Sequence, residues 1–191
     1  MRISLQIQQI LTILLRNCTI SDLLKQQNWD INNKRLTNAP KLRIVTGRHA
    51  HSTVLKAVSL LGFGTDNIEW VEVDDQGRII ADQIPALDKT TILILQAGNV
   101  NSGSFDDFKT ICTKARSQGA WIHIDGAFGL WASASNKLKY LTEGIEMGDS
   151  MSVDGHKTLN TPYDSGIFQK IVTKGNKGGI LILYFKTKNC F

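Results

Sequence analysis

The stretch SVDGHKTLNTPYDSG, residues 152–166, packs Asp154, His156 and Lys157 into four positions and follows them with turn-forming Asn160, Pro162 and Gly166. It continues from a short apolar run, SMSVD, so Lys157 falls where a strand has just delivered the chain to the end of a sheet. A lysine there is either a solvated surface charge or a nucleophilic amine able to form a Schiff base. Partial burial favours the second role by disfavouring the charged amine. Asp125 closes another strand-like run, WIHID, and is followed by Gly126 and Ala127, small enough for a flat ligand to approach the backbone. Its carboxylate can cap a helix, hold magnesium or face a protonated ring nitrogen. His51 opens a helical stretch, where an imidazole either caps the helix or lies flat on an aromatic ring. His123 shares the face of Asp125 by strand alternation and is either part of the site or packed beneath a covering helix.

These residues need a scaffold that brings them together. Apolar positions Leu5, Leu11, Leu14, Leu15, Leu23 and Leu24 recur at helical spacing, predicting one long amphipathic helix that ends in the polar QQNWDINNKRLTNAP loop. LRIVTG reads as a buried strand, HSTVLKAVSLLG as a helix closed by Gly62, and IEWVEVD as an alternating strand. After the DDQGR turn come a short helix ending near Leu87 and the fully apolar strand TILILQAG. SFDDFKTICTKARSQG predicts a helix with a serine cap, an acidic first turn and Phe108, Ile111, Cys112 and Ala115 on one face; AWIHID follows as a strand. Strands alternating with helices predict an α/β domain, with a mostly parallel sheet and helices on both faces. In such sheets chemistry collects beyond the carboxyl ends of the strands. Those loops are GRHAHS, AGNVNSG, DGAFG and DGHKTLN, and His49, His51, His123 and His156 all lie in or beside them.

Composition sets the outer bounds. A chain of 191 residues with 42% hydrophobic and 20% charged residues suits one globular α/β domain. The net charge of +5 is scattered and forms no basic run, which argues against a nucleic-acid partner. Cys18, Cys112 and Cys190 are odd in number and widely spaced, which fits neither a disulfide framework nor a zinc site and favours a reducing, cytoplasmic compartment. The opening MRISLQIQQILTILLRNC is interrupted by Gln6, Gln8 and Gln9 and reads as a helix rather than a secretory signal; no run is long enough to span a membrane.

Taken in order and at their spacings, AHS, GNVNSGSFD, HIDGAFG and DGHKTLNTPYDSG resemble the group II pyridoxal-phosphate-dependent decarboxylases, the family of glutamate and aromatic-amino-acid decarboxylases. The resemblance runs from about residue 22 to about residue 169. It implies the fold type I architecture, with the cofactor, pyridoxal 5'-phosphate, on the sheet of a large domain at a homodimer interface. It implies an amino acid, a small-molecule substrate, and loss of carbon dioxide as the reaction. By motif, Lys157 matches the residue that holds the cofactor as an internal aldimine. Asp125 matches the partner of the pyridine nitrogen, which keeps the ring cationic and strengthens the electron sink. Ala127 matches the small residue beneath the ring, His51 the histidine stacked on its other face, His156 a phosphate or active-site contact, and Asn99 a residue near the ring hydroxyl.

The pattern also departs from the family. The Gly/Ser/Thr-rich loop that binds the cofactor phosphate has no counterpart in MRISLQIQQI, Thr158 stands where the family usually has Trp, and the chain leaves the pattern after the lysine segment. The expectation is therefore a partial cofactor-binding large domain over 1–170 with a divergent tail over 171–191, in which catalysis by the chain alone is doubtful. The rival readings are a non-catalytic remnant that pairs with a full-length paralogue, and another fold type I enzyme that releases keto acid or sulfide instead of carbon dioxide.

Overall fold

The computed structural model describes residues 19–162, 165–174 and 177–186, with side chains as far as 170. Seven strands, β1 (Arg43–Gly47), β2 (Ile68–Val71), β3 (Thr91–Gln96), β4 (Trp121–Asp125), β5 (Ser150–Asp154), β6 (Ser165–Lys174) and β7 (Lys177–Lys186), form one sheet in the order β2-β1-β3-β4-β5-β6-β7. The first five pair in parallel, β6 is antiparallel to β5, and β7 is antiparallel to β6.

The apolar runs become the central strands because both faces of the sheet are covered. Every residue of β4 is buried, and β3 is buried up to Gln96 at its carboxyl end. On one face, α1 (Ser21–Gln26) and α3 (Ser52–Leu60) bury Leu23, Leu24, Val54, Ala57 and Val58 against Ile44, Ile92, Ile94 and Trp121. On the other, α4 (Phe108–Ser117) lays Phe108, Ile111, Cys112 and Ala115 over Val45, Leu93, Leu95, Ile122 and Ile124. Each large side chain so buried contributes roughly 1.5–3 kcal/mol. A short helix, α2 (Ile31–Lys34), follows α1, and Lys170 of β6 pairs with Asp22 of α1 across the first layer.

Most of the long helix predicted at the start lies outside the described residues; α1 is its described end. The short helix expected before Leu87 reduces to a 3₁₀ turn, Ala81–Gln83. Pro85 forces Ile84 into extended backbone and stops the turn there. The strand expected through Asp74 ends at Val71, and Val73 instead bridges Ile79 across the Asp74–Arg78 turn. The helix expected from Ser104 begins at Phe108, with Asp107 accepting the Thr110 N–H as its cap. Ser104 and Asp106 are thereby released for other work. The boundary expected at 170 falls inside β6, and the final apolar run of the tail lies in β7, so these residues extend the sheet.

Candidate active site

The carboxyl ends of β1, β3, β4 and β5 lie at one edge of the sheet, with Gln96 in register with Asp125 and Asp125 with Ser152. Over them opens a cleft of about 460 Å³, within the ~300–1,000 Å³ usual for small-molecule sites. His51 reaches it from the start of α3, Gln96 and Gly98 from the end of β3 and the loop after it, Asp125 and Ala127 from the end of β4 and the turn after it, and Lys157 and Thr158 from α5 (Gly155–Thr158), the turn that follows β5.

Lys157 projects its amine from that turn to 2.7 Å from Asp154 Oδ2; the lysine side chain is 39% exposed and the aspartate 11%. The pair closes i to i+3 across α5, which explains why an acid ends β5. Asp125 is 7% exposed. Its burial pushes the carboxyl above the usual range; the Ala127 N–H, donating to Oδ1 at 3.2 Å, opposes this, Asp154 adds to it, and His51 and Lys157 counter it. The site thus sets a buried acid between basic groups. His51 is the N-cap of α3: its Nδ1 accepts the Thr53 N–H and contacts Thr53 Oγ1 at 2.8 Å, which fixes the ring at the cleft wall.

Glycines are required at the turns that bound the cleft. A methyl group at Gly126 would approach Leu130 Cβ to 2.8 Å, and one at Gly98, whose φ is +93°, would approach the Phe128 ring equally closely. The chain at these turns therefore runs against its neighbours with no space for a side chain.

Two residues singled out in the sequence lie elsewhere. Asn99 is buried and absent from the cleft lining; its carbonyl oxygen accepts the Asn101 and Ser102 N–H groups, and its amide donates to Gln96 Oε1 at 3.2 Å. It organises the loop instead of facing the cavity. His156 turns away from the cleft and accepts the Ser165 N–H at Nδ1, tying the lysine turn to β6. His123 is buried under the same face as Asp125, 2.9 Å from Ser150 Oγ and stacked on Phe168; burial pushes it down to about 4, so it is neutral. Asp154 and Gln96 were not singled out as site residues. The i, i+3 spacing to Lys157 was a signal for the first, and position at a strand end for the second.

The residue set fits a flat, aldehyde-bearing aromatic ring with a protonated ring nitrogen: an amine for the aldehyde, a buried acid for the nitrogen, and the small Gly98 and Ala127 in the lining. A model of the pyridoxal-dependent decarboxylase conserved domain matches residues 7–173. Over 138 residues the chain is 32% identical to the acidic amino acid decarboxylase GADL1 of Mus musculus, covering 68% of this chain and 25% of that protein. It is 30% identical to the aspartate 1-decarboxylase of Aliivibrio fischeri over 134 residues, 66% of this chain and 24% of that one. The glutamate decarboxylase domain of a diaminobutyrate-pyruvate transaminase and L-2,4-diaminobutyrate decarboxylase from Vibrio parahaemolyticus superposes with a TM-score of 0.67 at 26% identity, covering 87% of this chain and 37% of that chain. The chain spans about a quarter of the length of the curated relatives it matches. With the matched model covering most of its residues, this chain belongs to the pyridoxal-dependent decarboxylase family.

Proposed function

We propose that the cleft binds pyridoxal 5'-phosphate through the Lys157 amine and that the chain is the cofactor-binding part of an amino-acid decarboxylase. The observation that carries this is the convergence of the Lys157 amine and the buried Asp125 carboxylate on one cleft from neighbouring parallel strands. When bound, the cofactor supplies a sink for the electron pair left at a substrate's α-carbon as carbon dioxide departs.

The chain's own residues do the rest. Lys157 must leave its ion pair with Asp154 to present its amine to the aldehyde. Asp125 holds a proton at the ring nitrogen, and its burial strengthens that interaction by excluding water. His51 forms the cleft wall and, held by its cap, keeps a flat surface toward the ring; Ala127 leaves room beneath it. In this reading Asn99 acts indirectly by holding Gln96, and His156 by anchoring the turn that carries Lys157.

The relatives' names point to acidic amino acids and aspartate, which makes acidic α-amino acids the substrates to try first. Val100, 58% exposed at the cleft, suits a rim covered by a second copy, so the full-length protein is read as a homodimer. No helix among the described residues is long and apolar enough to cross a membrane.

The test is the absorption spectrum of the purified chain with added pyridoxal phosphate, before and after borohydride, in wild type and Lys157→Ala. A reducible band and a borohydride-fixed mass increment on Lys157, both lost in the variant, are expected. A wild type without the band, or a variant that keeps it, overturns the proposal. Carbon dioxide release from aspartate and glutamate then tests the reaction.

A further inference from the structure

Asp106 is an acid behind the cleft wall, 5% exposed and absent from the cleft lining. Its two oxygens each accept one backbone N–H from a different segment: Oδ1 from Ile79 at 2.8 Å and Oδ2 from Gln96 at 2.7 Å. Ile79 follows the Asp74–Arg78 turn, which is closed by its own backbone hydrogen bonds and the Val73–Ile79 bridge. Gln96 is the last residue of β3 and lines the cleft.

Between Gln96 and Asp106 the chain makes an excursion that includes Gly98 and Val100 of the cleft wall and returns through an Ala97–Phe105 bridge. The Asp106 N–H also donates to the Gln96 carbonyl at 3.2 Å, so one residue holds both ends of the excursion. At the tip, the Ser102 and Ser104 hydroxyls both donate to the Gln76 carbonyl, at 2.6 and 2.7 Å. Gly77, at φ +80°, leaves room for the Asn99 amide, which a methyl group there would approach to 2.9 Å. The turn and the wall are thus joined at the tip by neutral hydroxyls and at the base by one carboxylate.

We propose that Asp106 is the positioning residue of this wall, clamping the Gln96–Ser104 excursion to the 74–79 turn so that Gln96 and Gly98 keep their places in the cleft. It touches no reacting group and acts through the backbone. That the wall bounds a cofactor site rests on the reading proposed above; the clamp itself is testable without cofactor.

Burial raises the Asp106 carboxyl to about 6, the two amides opposing this; of the charged groups facing it from the turn, Asp74 adds to the rise and Arg78 counters it. From α4 it faces Cys112, whose thiol burial pushes up to about 12 and leaves neutral. A carboxyl raised in the closed state is stabilised by protonation, so the clamp is tightest at acid pH and loosens as pH rises through about 6.

The experiment is amide hydrogen exchange of the full chain without cofactor, resolved at Ile79 and Gln96, at pH 5 and pH 7, in wild type, Asp106→Asn and Asp106→Ala. Wild-type protection factors at both amides are expected to be about tenfold higher at pH 5 than at pH 7, with little change in Asp106→Asn. Asp106→Ala is expected to lose protection at least tenfold over residues 76–80 and 96–104 while Ile111–Ala115 of α4 and β4 keep theirs. If the alanine variant does not fold, the pH ratio in the asparagine variant, which keeps one acceptor oxygen, decides alone. Unchanged protection, the same pH ratio in wild type and Asp106→Asn, or a loss spread evenly over the sheet would overturn the proposal. Pyridoxal phosphate titration separates the two readings: a wild type that binds none sinks the cofactor assignment, while the exchange data still judge the clamp.

Discussion

Lys157 Nζ lies 2.7 Å from Asp154 Oδ2, an ion pair closed across the single turn that follows β5. The pair orients the amine toward the cleft, and it must open before the amine can attack an aldehyde. An ion pair with a partly exposed partner is worth about 0–1 kcal/mol. Asp154→Asn is therefore expected to speed borohydride-trapped attachment of pyridoxal phosphate at Lys157 about two- to fivefold, with the melting temperature nearly unchanged. Trapping rates by mass spectrometry check this; a variant that labels more slowly would make Asp154 a proton acceptor the reaction cannot spare.

Glycine positions around the floor separate two kinds of constraint. A methyl group at Gly129 would overlap the Ala97 carbonyl oxygen and lie 2.6 Å from its carbon, both backbone atoms that cannot swing aside. Gly103, at φ +73°, has nothing within 4 Å of an added methyl group and needs only its left-handed backbone. Gly129→Ala is expected to cost more than about 2 kcal/mol and to distort the cleft, and Gly103→Ala about 1 kcal/mol. Urea unfolding of the two variants gives both numbers, and equal costs would refute the overlap argument.

The central strands and the residues at their ends were legible because periodicity and apolar runs report burial directly. TILILQ and WIHID admit few alternatives, and a parallel sheet then brings the ends of β1, β3, β4 and β5 to one edge. Lys157, Asp125, Ala127 and His51 meet at the cleft for that reason. Asn99 and His156 stand at equally suggestive positions, yet their side chains serve backbone groups, Asn99 in its own loop and His156 at Ser165, a choice that side-chain type does not announce. Asp106 was hidden for a related cause. In FDD either acid can cap the helix, and which one is buried depends on the Ile79 amide, 27 positions upstream. The pairing of β6 with β7 was not legible because the segment after 170 departs from the family's motifs, and its partner strand is set by register and not by composition.

Arg43 fastens the outer edge of the sheet. Its Nε and Nη2 donate to the two oxygens of Glu69 at 2.7 and 2.6 Å, and Nη1 reaches the Ala86 carbonyl at 3.0 Å and Asp88 Oδ2 at 3.3 Å. The two-point contact with Glu69 joins β1 to β2, and the others hold the segment entering β3. Arg43→Lys keeps the charge but not the fork. It is expected to cost about 1–2 kcal/mol and Arg43→Ala about 2–3 kcal/mol. Chemical denaturation measures both, and a lysine variant as stable as wild type would show that charge alone suffices.

His123 ties stability to pH in a direction opposite to Asp106. Burial pushes the imidazole from 6.5 down to about 4, so the unfolded chain takes up its proton first as pH falls. The stabilisation from a neutral folded histidine is present above pH 6.5 and is lost between there and about 4, on the order of 3 kcal/mol in all. Protonation would place a charge between Ser150 and the face of Phe168, where neither the hydroxyl at 2.9 Å nor the ring replaces bulk water. Replacing the histidine by glutamine keeps polar atoms near Ser150 while removing the titration. Buried acids such as Asp106, Asp125 and Asp149, which burial raises, act with the opposite sign over the same range, so the difference between wild type and His123→Gln is the informative quantity. Urea midpoints at pH 7, 6, 5 and 4.5 should show that difference moving in favour of the variant as pH falls. A constant difference would place the proton on the folded and unfolded histidine with equal ease, contrary to its burial.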